Sequence, residues 1–192
     1  MKNCIFLLIT ISCSVLCSYA QEQLHINTSK SELKWFGTDV LNVGGHHGIV
    51  HFKNGHFIKT DTKITGGSFI IAMNTIALIE ENEADYDNSL VNHLKNEDFF
   101  DVKKFSVAKL VITNTHYHDA THLSIIANLT IKEITIPIKF QAEVDFQKQQ
   151  MTTKFKIDRT RWGITYESQN YSVRLKDKAI SDMIDFDVKL RL

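Results

Sequence analysis

Proline and glycine are scarce: the 192-residue chain holds one proline, Pro137, and eight glycines. No Pro/Gly/Ser-rich linker divides it, and no repeat or low-complexity tract stands out. The length therefore favours one domain. Cysteine is confined to one end. All three, Cys4, Cys13 and Cys17, precede residue 18. An excess of charge of either sign is missing too. With 22 basic and 22 acidic residues there is no electrostatic footprint for nucleic acid and no basic run suited to anionic lipid surfaces. Long hydrophobic runs are also absent, since spanning a bilayer as a helix takes about 20 apolar residues. The longest run, residues 5–16, falls short of that.

That run has another meaning. Met1-Lys2-Asn3 carries one positive charge ahead of it, and Ser18-Tyr19-Ala20 follows it. A charged start, a short apolar core and a small-x-small site describe a secretory signal peptide. Cleavage is expected after Ala20, giving a leader of residues 1–20 and a mature domain of residues 21–192. The mature chain then has no thiol and no disulfide, and it is long enough to build a core without staples. A periplasmic or secreted location follows. Lipidation at Cys17 or Cys13 is the alternative, but Leu16 is bulky where a small residue is wanted.

Alternation sets the fold class. Ile136, Ile138, Phe140, Ala142, Val144 and Phe146 alternate with polar or outward residues, and Ile184, Phe186, Val188, Leu190 and Leu192 do the same. A sustained period of two means strands with one buried and one wet face. Shorter versions cover residues 33–37, 48–53, 57–61, 67–76, 105–113, 123–131 and 151–157. Asn54-Gly55 between two of them predicts a hairpin turn, and Pro137 belongs at a strand start or edge. Only residues 89–96 read as a helix, with Ser89 as its cap and Leu90, Val91 and Leu94 as its apolar stripe. So short a helix cannot cover eight or nine strands, so the sheet must fold over on itself as a sandwich or a closed barrel, and strands of ten or more residues such as 135–146 favour the barrel. An all-β antiparallel barrel of about eight strands is expected, just wide enough to be filled by side chains or to hold one small ligand.

Several segments carry a further likeness. Gly66-Gly67-Ser68-Phe69 leads to Met73-Asn74-Thr75-Ile76. His93-Leu94-Lys95-Asn96-Glu97-Asp98-Phe99-Phe100-Asp101-Val102 precedes Lys104-Phe105. Asn128-Leu129-Thr130-Ile131-Lys132 comes before Ile134-Thr135. Asp158-Arg159-Thr160-Arg161-Trp162-Gly163-Ile164 is followed by Asp177-Lys178-Ala179-Ile180 and Asp187-Val188-Lys189-Leu190. In this order they resemble the YceI-like lipid/polyisoprenoid-binding family across nearly the whole mature chain, and Arg161-Trp162-Gly163 resembles its Bacteroidota-type members. Ala72 departs from the family's Asp, Glu133 from its turn Gly, and Ser172-Val173-Arg174 from a Phe/Asn-rich loop. The resemblance implies an extended, lipocalin-like barrel holding an isoprenoid chain or similar amphiphile. The partners it implies are an isoprenoid quinone, a prenyl phosphate or a similar lipid, with a homodimer as an open alternative.

The residues can be assigned to such a lumen. Phe69, Ile71, Met73, Val107, Ile138, Phe140, Val144, Phe155 and Phe186 would make a dry wall, joined by Trp35 and Trp162. The competing reading is that they simply fill a core, with both tryptophans as plugs. Arg159 and Arg161 suit a phosphate head group, because the guanidinium fork donates two parallel hydrogen bonds. Their alternative role is an ion pair with Asp158 that holds a turn.

Catalysis has little support. There is no Gly-x-Ser-x-Gly elbow, no phosphate-cradling loop and no thiol nucleophile in the mature chain. No cofactor is implied. Nine histidines are the one opening. His46 and His47 point to opposite faces of a strand, and His47 and His51 lie about 13 Å apart along it, too far for one metal. His116 and His118 are about 6.6 Å apart on one face, with His122 across a polar tip of residues 114–121. A metal-binding enzyme is therefore the third reading, after a lipid carrier and a structural β-domain.

Overall fold

A computed structural model describes residues 21–40, 44–79, 88–168, 170 and 179–192. The expected leader with its cysteines, and the departing loop at residues 172–174, lie outside these residues. The order is β1 (Gln21–His25), β2 (Glu32–Asp39), β3 (Gly45–Thr60), β4 (Lys63–Leu78), α1 (Asn88–Lys95), β5 (Val107–Tyr117), β6 (His122–Ile131), β7 (Ile134–Asp145), β8 (Gln150–Asp158) and β9 (Ile180–Arg191). The strands pair antiparallel in the order β2-β9-β8-β7-β6-β5-β4-β3, and β3 pairs back onto β2. That is a closed eight-stranded barrel. Its closing joint brings Glu32 opposite Lys189 and Trp35 opposite Phe186. β1 lies in line with β2 along the same edge of β3, pairing His25 with His56.

The barrel has two unlike ends. At the hairpin end β3 turns into β4, β5 into β6 and β7 into β8. At the helix end lie α1, the β6–β7 turn and the connection from β8 to β9. Helix α1 begins one residue before Ser89, which is therefore its second residue rather than its cap.

One expected turn is a correction. Asn54-Gly55 does not make a hairpin: β3 runs straight through it. The turn lies at Asp61-Thr62, with Asp61 at φ 54°. Gly55 is small for a different reason. A Cβ there would come within 2.5 Å of the Phe69 ring. A bulge between Phe52 and Asn54 shifts the phase, so Phe52 and then Gly55 and Phe57 face inward. A slipped alternation around Asn-Gly looks like two strands and a turn when only sequence is available.

Other joints are completed by side chains. β4 and β5 pair only from Gly67–Ile112 to Ala72–Val107. Beyond that, towards the hairpin end, the Ile64 N–H donates to Tyr117 Oη at 2.8 Å and Thr115 Oγ1 donates to the Ile64 carbonyl at 2.9 Å. Burial raises the Tyr117 pKa, which keeps the phenol neutral as that acceptor. β7 and β8 pair only from Gln141–Lys154 to Asp145–Gln150. Pro137 sits on β7 where no β8 residue is paired with it, so on that side its missing N–H costs no ladder bond. The proline was expected at a start or edge, and it occupies the open stretch of this joint.

Candidate functional site

The barrel encloses a cavity of about 450 Å³. Its wall is almost wholly apolar, and each element contributes a few residues. β3 and β4 supply Val50, Phe52, Phe57, Phe69, Ile71 and Met73. β5 and β6 supply Ala108, Leu110, Ile112, Ile125 and Leu129. From β7, β8 and β9 come Phe140, Phe155, Ile157, Ile184 and Phe186. Inward residues recur every second position because that is the strand period. Two aromatic groups shape the interior. Phe140, Phe155 and Phe186 stack in series, with ring centroids 4.9 and 5.3 Å apart. Phe69 stands edge-on to Phe57 at 4.9 Å and to Phe52 at 6.4 Å.

The two ends of the cavity differ. Towards the hairpin end, Ile64, Leu123 and Val144 are buried to 1% exposure or less and none of them lines the cavity. They form a packed floor. Of the polar lining residues, Thr38, Asp39, His46, Arg159 and Ser181 gather at the helix end, while Thr153 stands lower on β8 with its Oγ1 donating to the Gln141 carbonyl at 2.6 Å. Leu90 and Leu94 of α1, with Phe99 and Phe100 after it, line the cavity there too. Phe99 is fixed edge-on to His93 at 5.1 Å, and His93 packs on Tyr166 at 4.5 Å.

Most of the expected wall is present. Trp35, Phe69, Ile71, Met73, Phe140, Phe155 and Phe186 all line the cavity. The Trp35 indole lies over Gly48, where a Cβ would meet its ring at 2.6 Å. Its Nε1 is buried without a hydrogen-bond partner among the described residues. Three other residues are inside but do not line the cavity: Ile138 packs against the core, Val144 belongs to the floor and Trp162 is a plug. Trp162 is fully buried and donates from Nε1 to the Leu129 carbonyl at 3.2 Å.

Val107 is a correction. It points outward, 40% exposed, opposite Ala72. β5 carries apolar residues in both phases, so alternation alone leaves its inward face undecided. The outward Lys109 fixes it, and Ala108, Leu110 and Ile112 face in. Ala72 lies on the same outer wall, away from the lumen.

The two arginines part company. Arg159 is buried to 1% and lines the cavity. Its Nε donates to the Ser181 carbonyl, Nη1 to that of Ile164 and Nη2 to that of Ile180, at 2.9–3.2 Å. Nη2 also lies 3.5 Å from Asp182 Oδ1, and the guanidinium sits over the Phe99 ring at 5.6 Å. Burial lowers its pKa while the nearby Asp182 carboxylate raises it. The geometry makes Arg159 first a clasp between the 159–164 turn and the start of β9. Arg161 is exposed and rests over Trp162 at 5.8 Å, outside the cavity. Asp158 pairs with neither. Its Oδ1 accepts from the Thr160 N–H at 3.0 Å and from Thr160 Oγ1, capping the short 3-10 turn Arg159–Trp162.

The histidines do not converge. His116 and His118 face each other with centroids 5.3 Å apart, but His118 is engaged with Ser124 at 2.8 Å and His122 with Asp119 at 2.9 Å. β5 runs on to Tyr117, so the tip is narrower than expected and His116 belongs to the strand. Among the described residues no three His, Cys, Asp or Glu side chains are grouped around a point where an ion would fit.

Residues that the sequence reading missed include Val50, Phe52, Phe57, Leu110 and Ile112, all visible once the strand phase is known. The α1 contribution was visible only as a stripe with no assigned partner.

Comparison with known proteins fits this geometry. The sequence profile of the YceI-like domain matches residues 24–192. A UPF0312 protein of Vibrio vulnificus is 28% identical over 119 residues, or 54% of this chain and 61% of that protein, so the chain spans about three fifths of that relative's length. Among solved structures, Burkholderia cenocepacia BcnA superposes with a TM-score of 0.68 at 14% identity, covering 86% of this chain and 98% of that one. A polyisoprenoid binding domain from Saccharophagus degradans gives 0.54 at 11% identity, covering 91% and 99%. The YceI protein of Campylobacter jejuni gives 0.52 at 17%, covering 74% and 84%. At these identities the structural likeness speaks for the fold.

Proposed function

The chain belongs to the YceI-like domain family, and on that premise we propose that it is an exported, non-catalytic protein that binds a long-chain isoprenoid or similar amphiphilic lipid within its barrel. The observation that carries this reading is the cavity, about 450 Å³ with an apolar wall and most of its polar groups at one end. An apolar chain in such a space gains about 0.8 kcal/mol for each CH₂ removed from water, so it binds without needing polar contacts. The gathering of Thr38, Asp39, His46, Arg159 and Ser181 at the helix end suits the head group of the same molecule. The Saccharophagus degradans relative is described as polyisoprenoid binding, which favours a prenyl chain over a fatty acyl chain. An isoprenoid quinone or a prenyl phosphate meets both requirements, and the signal-like residues 1–20 suit a periplasmic or secreted carrier or store.

The test is to express the chain with its own N-terminus and recover it from the exported fraction. Organic extracts are then analysed by mass spectrometry, and thermal unfolding is compared before and after delipidation. The expected result is a stoichiometric prenyl or acyl amphiphile whose removal lowers Tm. A lipid-free protein whose Tm does not respond to any added amphiphile would point to a filled structural domain instead.

A further inference from the structure

The joint between β7 and β8 is sealed over only part of its height. Residue pairing stops at Gln141–Lys154, although β7 extends back to Ile134 and β8 on to Asp158 towards the helix end. The residues themselves stop it. Thr153 Oγ1 donates to the Gln141 carbonyl at 2.6 Å, so the main chain of Gln141 faces β8, and at a period of two so does that of Lys139 and Pro137. Continued in the same register, the ladder would set Lys139 opposite Lys156 and Pro137 opposite Asp158. Like charges directly opposite one another destabilise a strand pair, and proline has no N–H to donate.

Side chains alone stand in the gap. Its edge towards the hairpin end is the Phe140–Phe155 stack, 4.9 Å between centroids. Its edge towards the helix end is the 159–164 turn, which reaches β7 where a Cβ on Gly163 would lie 3.9 Å from Ile134 Cδ1. Between these edges, over about 13 Å of strand, stand Ile136 and Ile138. Both share the inward phase of Phe140, yet both are only half-buried and neither lines the cavity. Their exposure is therefore to the outside. Immediately behind them Phe140, Phe155 and Ile157 do line the cavity. A single rank of isoleucine separates the lumen from solvent.

The rest of the barrel is closed more firmly. The floor is the packed Ile64, Leu123 and Val144 layer. At the helix end Phe99 is held edge-on by His93 and covered by the Arg159 guanidinium, and Lys132 Nζ ties down the Glu97 and Phe99 carbonyls. The other short joint, β4–β5, is completed by the Tyr117 and Thr115 hydrogen bonds to Ile64. Swinging an isoleucine aside breaks no hydrogen bond, and strands already unpaired can part without losing a ladder rung.

We propose that the lipid passes into and out of the barrel sideways, through this slit between β7 and β8, with Ile138 as the side chain that moves aside. This rests on the lipid-binding reading and adds the route to it. A chain entering edge-on meets Phe140 and Phe155 first. It leaves α1 and the Arg159 clasp in place throughout, so loading needs no opening of the helix end.

Residues 21–192 contain no cysteine, so a pair of introduced thiols can be linked cleanly in the mature chain. Lys139→Cys with Lys156→Cys, joined by a flexible bismaleimide, ties the slit from outside. Ile126→Cys with Lys139→Cys, joined in the same way, is the control, because those positions already face each other in the β6–β7 ladder. Each protein is loaded with geranylgeraniol, linked and chased with deuterated geranylgeraniol, and native mass spectrometry follows exchange in the linked species. The tied slit should exchange at least about tenfold more slowly than the control. Ile138→Ala should exchange about threefold faster than wild type, with thermal unfolding as the check that it is folded. A tied slit that exchanges at the control rate overturns the side route and leaves lipid binding standing. If wild-type protein takes up no geranylgeraniol, the lipid-binding reading falls and takes the route with it.

Discussion

The rings of Phe140 and Phe155 lie 4.9 Å apart and nearly parallel, directly beyond the last paired residues of the β7–β8 joint, Gln141 and Lys154. Side-chain stacking thus takes over where the backbone ladder stops, and the same two rings form part of the cavity wall. A residue with both duties gives different answers with and without a guest.

Phe140→Ala should cost about 3–5 kcal/mol in delipidated protein, through the cavity it leaves and the stack it breaks. In the lipid-loaded protein the loss should be clearly smaller, because the chain shifts into the space. Urea unfolding of both forms decides it. An identical penalty in the two states would mean that the guest does not reach this level of the barrel.

Arg159 and Arg161 should behave oppositely. Arg159→Ala strands three carbonyls and brings Asp182 close to being an unpaired buried charge, a loss of about 3–5 kcal/mol. Arg161→Ala removes an exposed group and should stay within about 0.5 kcal/mol. Denaturant midpoints measure both. Equal, small effects would show that the buried clasp is not needed for folding.

The β6–β7 turn carries strain that can be relieved. Lys132 and Glu133 both adopt left-handed backbone, φ 47° and 64°, which costs residues with a Cβ more than it costs glycine. Glu133→Gly should therefore stabilise the barrel by about 1 kcal/mol, read as a rise in Tm. Lys132 should not be changed with it, because its Nζ donates to the Glu97 and Phe99 carbonyls at 3.3 and 3.0 Å.

At the β5–β6 tip, the His122 and Thr121 backbone N–H groups hold the Asp119 pKa down at about 2. A depressed carboxylate contributes stability that is complete above its ordinary value near 3.8 and is lost as pH falls through about 2. Wild-type tip order, followed by NMR, should therefore decline across that window. Asp119→Asn should flatten the dependence, and a variant that kept the wild-type profile would assign the titration to another group.

How far the sequence foretold this depends on local phase. β7 and β9 alternate cleanly, so Phe140 and Phe186 were placed in the wall from spacing alone. β5 is apolar on both faces, and Val107 was put on the wrong one. β3 slips phase at a bulge, which made Asn54-Gly55 imitate a turn. β1, Gln21–His25, is too short and polar to show any pattern. Arg159 stood out by its chemistry, yet its burial depends on carbonyls of Ser181 and Ile180 more than twenty positions away, which no local spacing reveals.

The joint between β2 and β9 has a consequence for timing. Glu32 and Lys189 meet there from nearly opposite ends of the chain, and Arg191 is tied back by its N–H to Ser31 Oγ at 3.0 Å. A contact so distant in sequence carries a high loop-closure cost and forms late. Until it forms, β2 presents an open strand edge, a template for mispairing with other chains. A chain arriving N-terminus first would therefore hold a curved, unsealed sheet until the 12 residues of β9 emerge. Loss of even those few residues should turn a discrete barrel into an aggregating sheet.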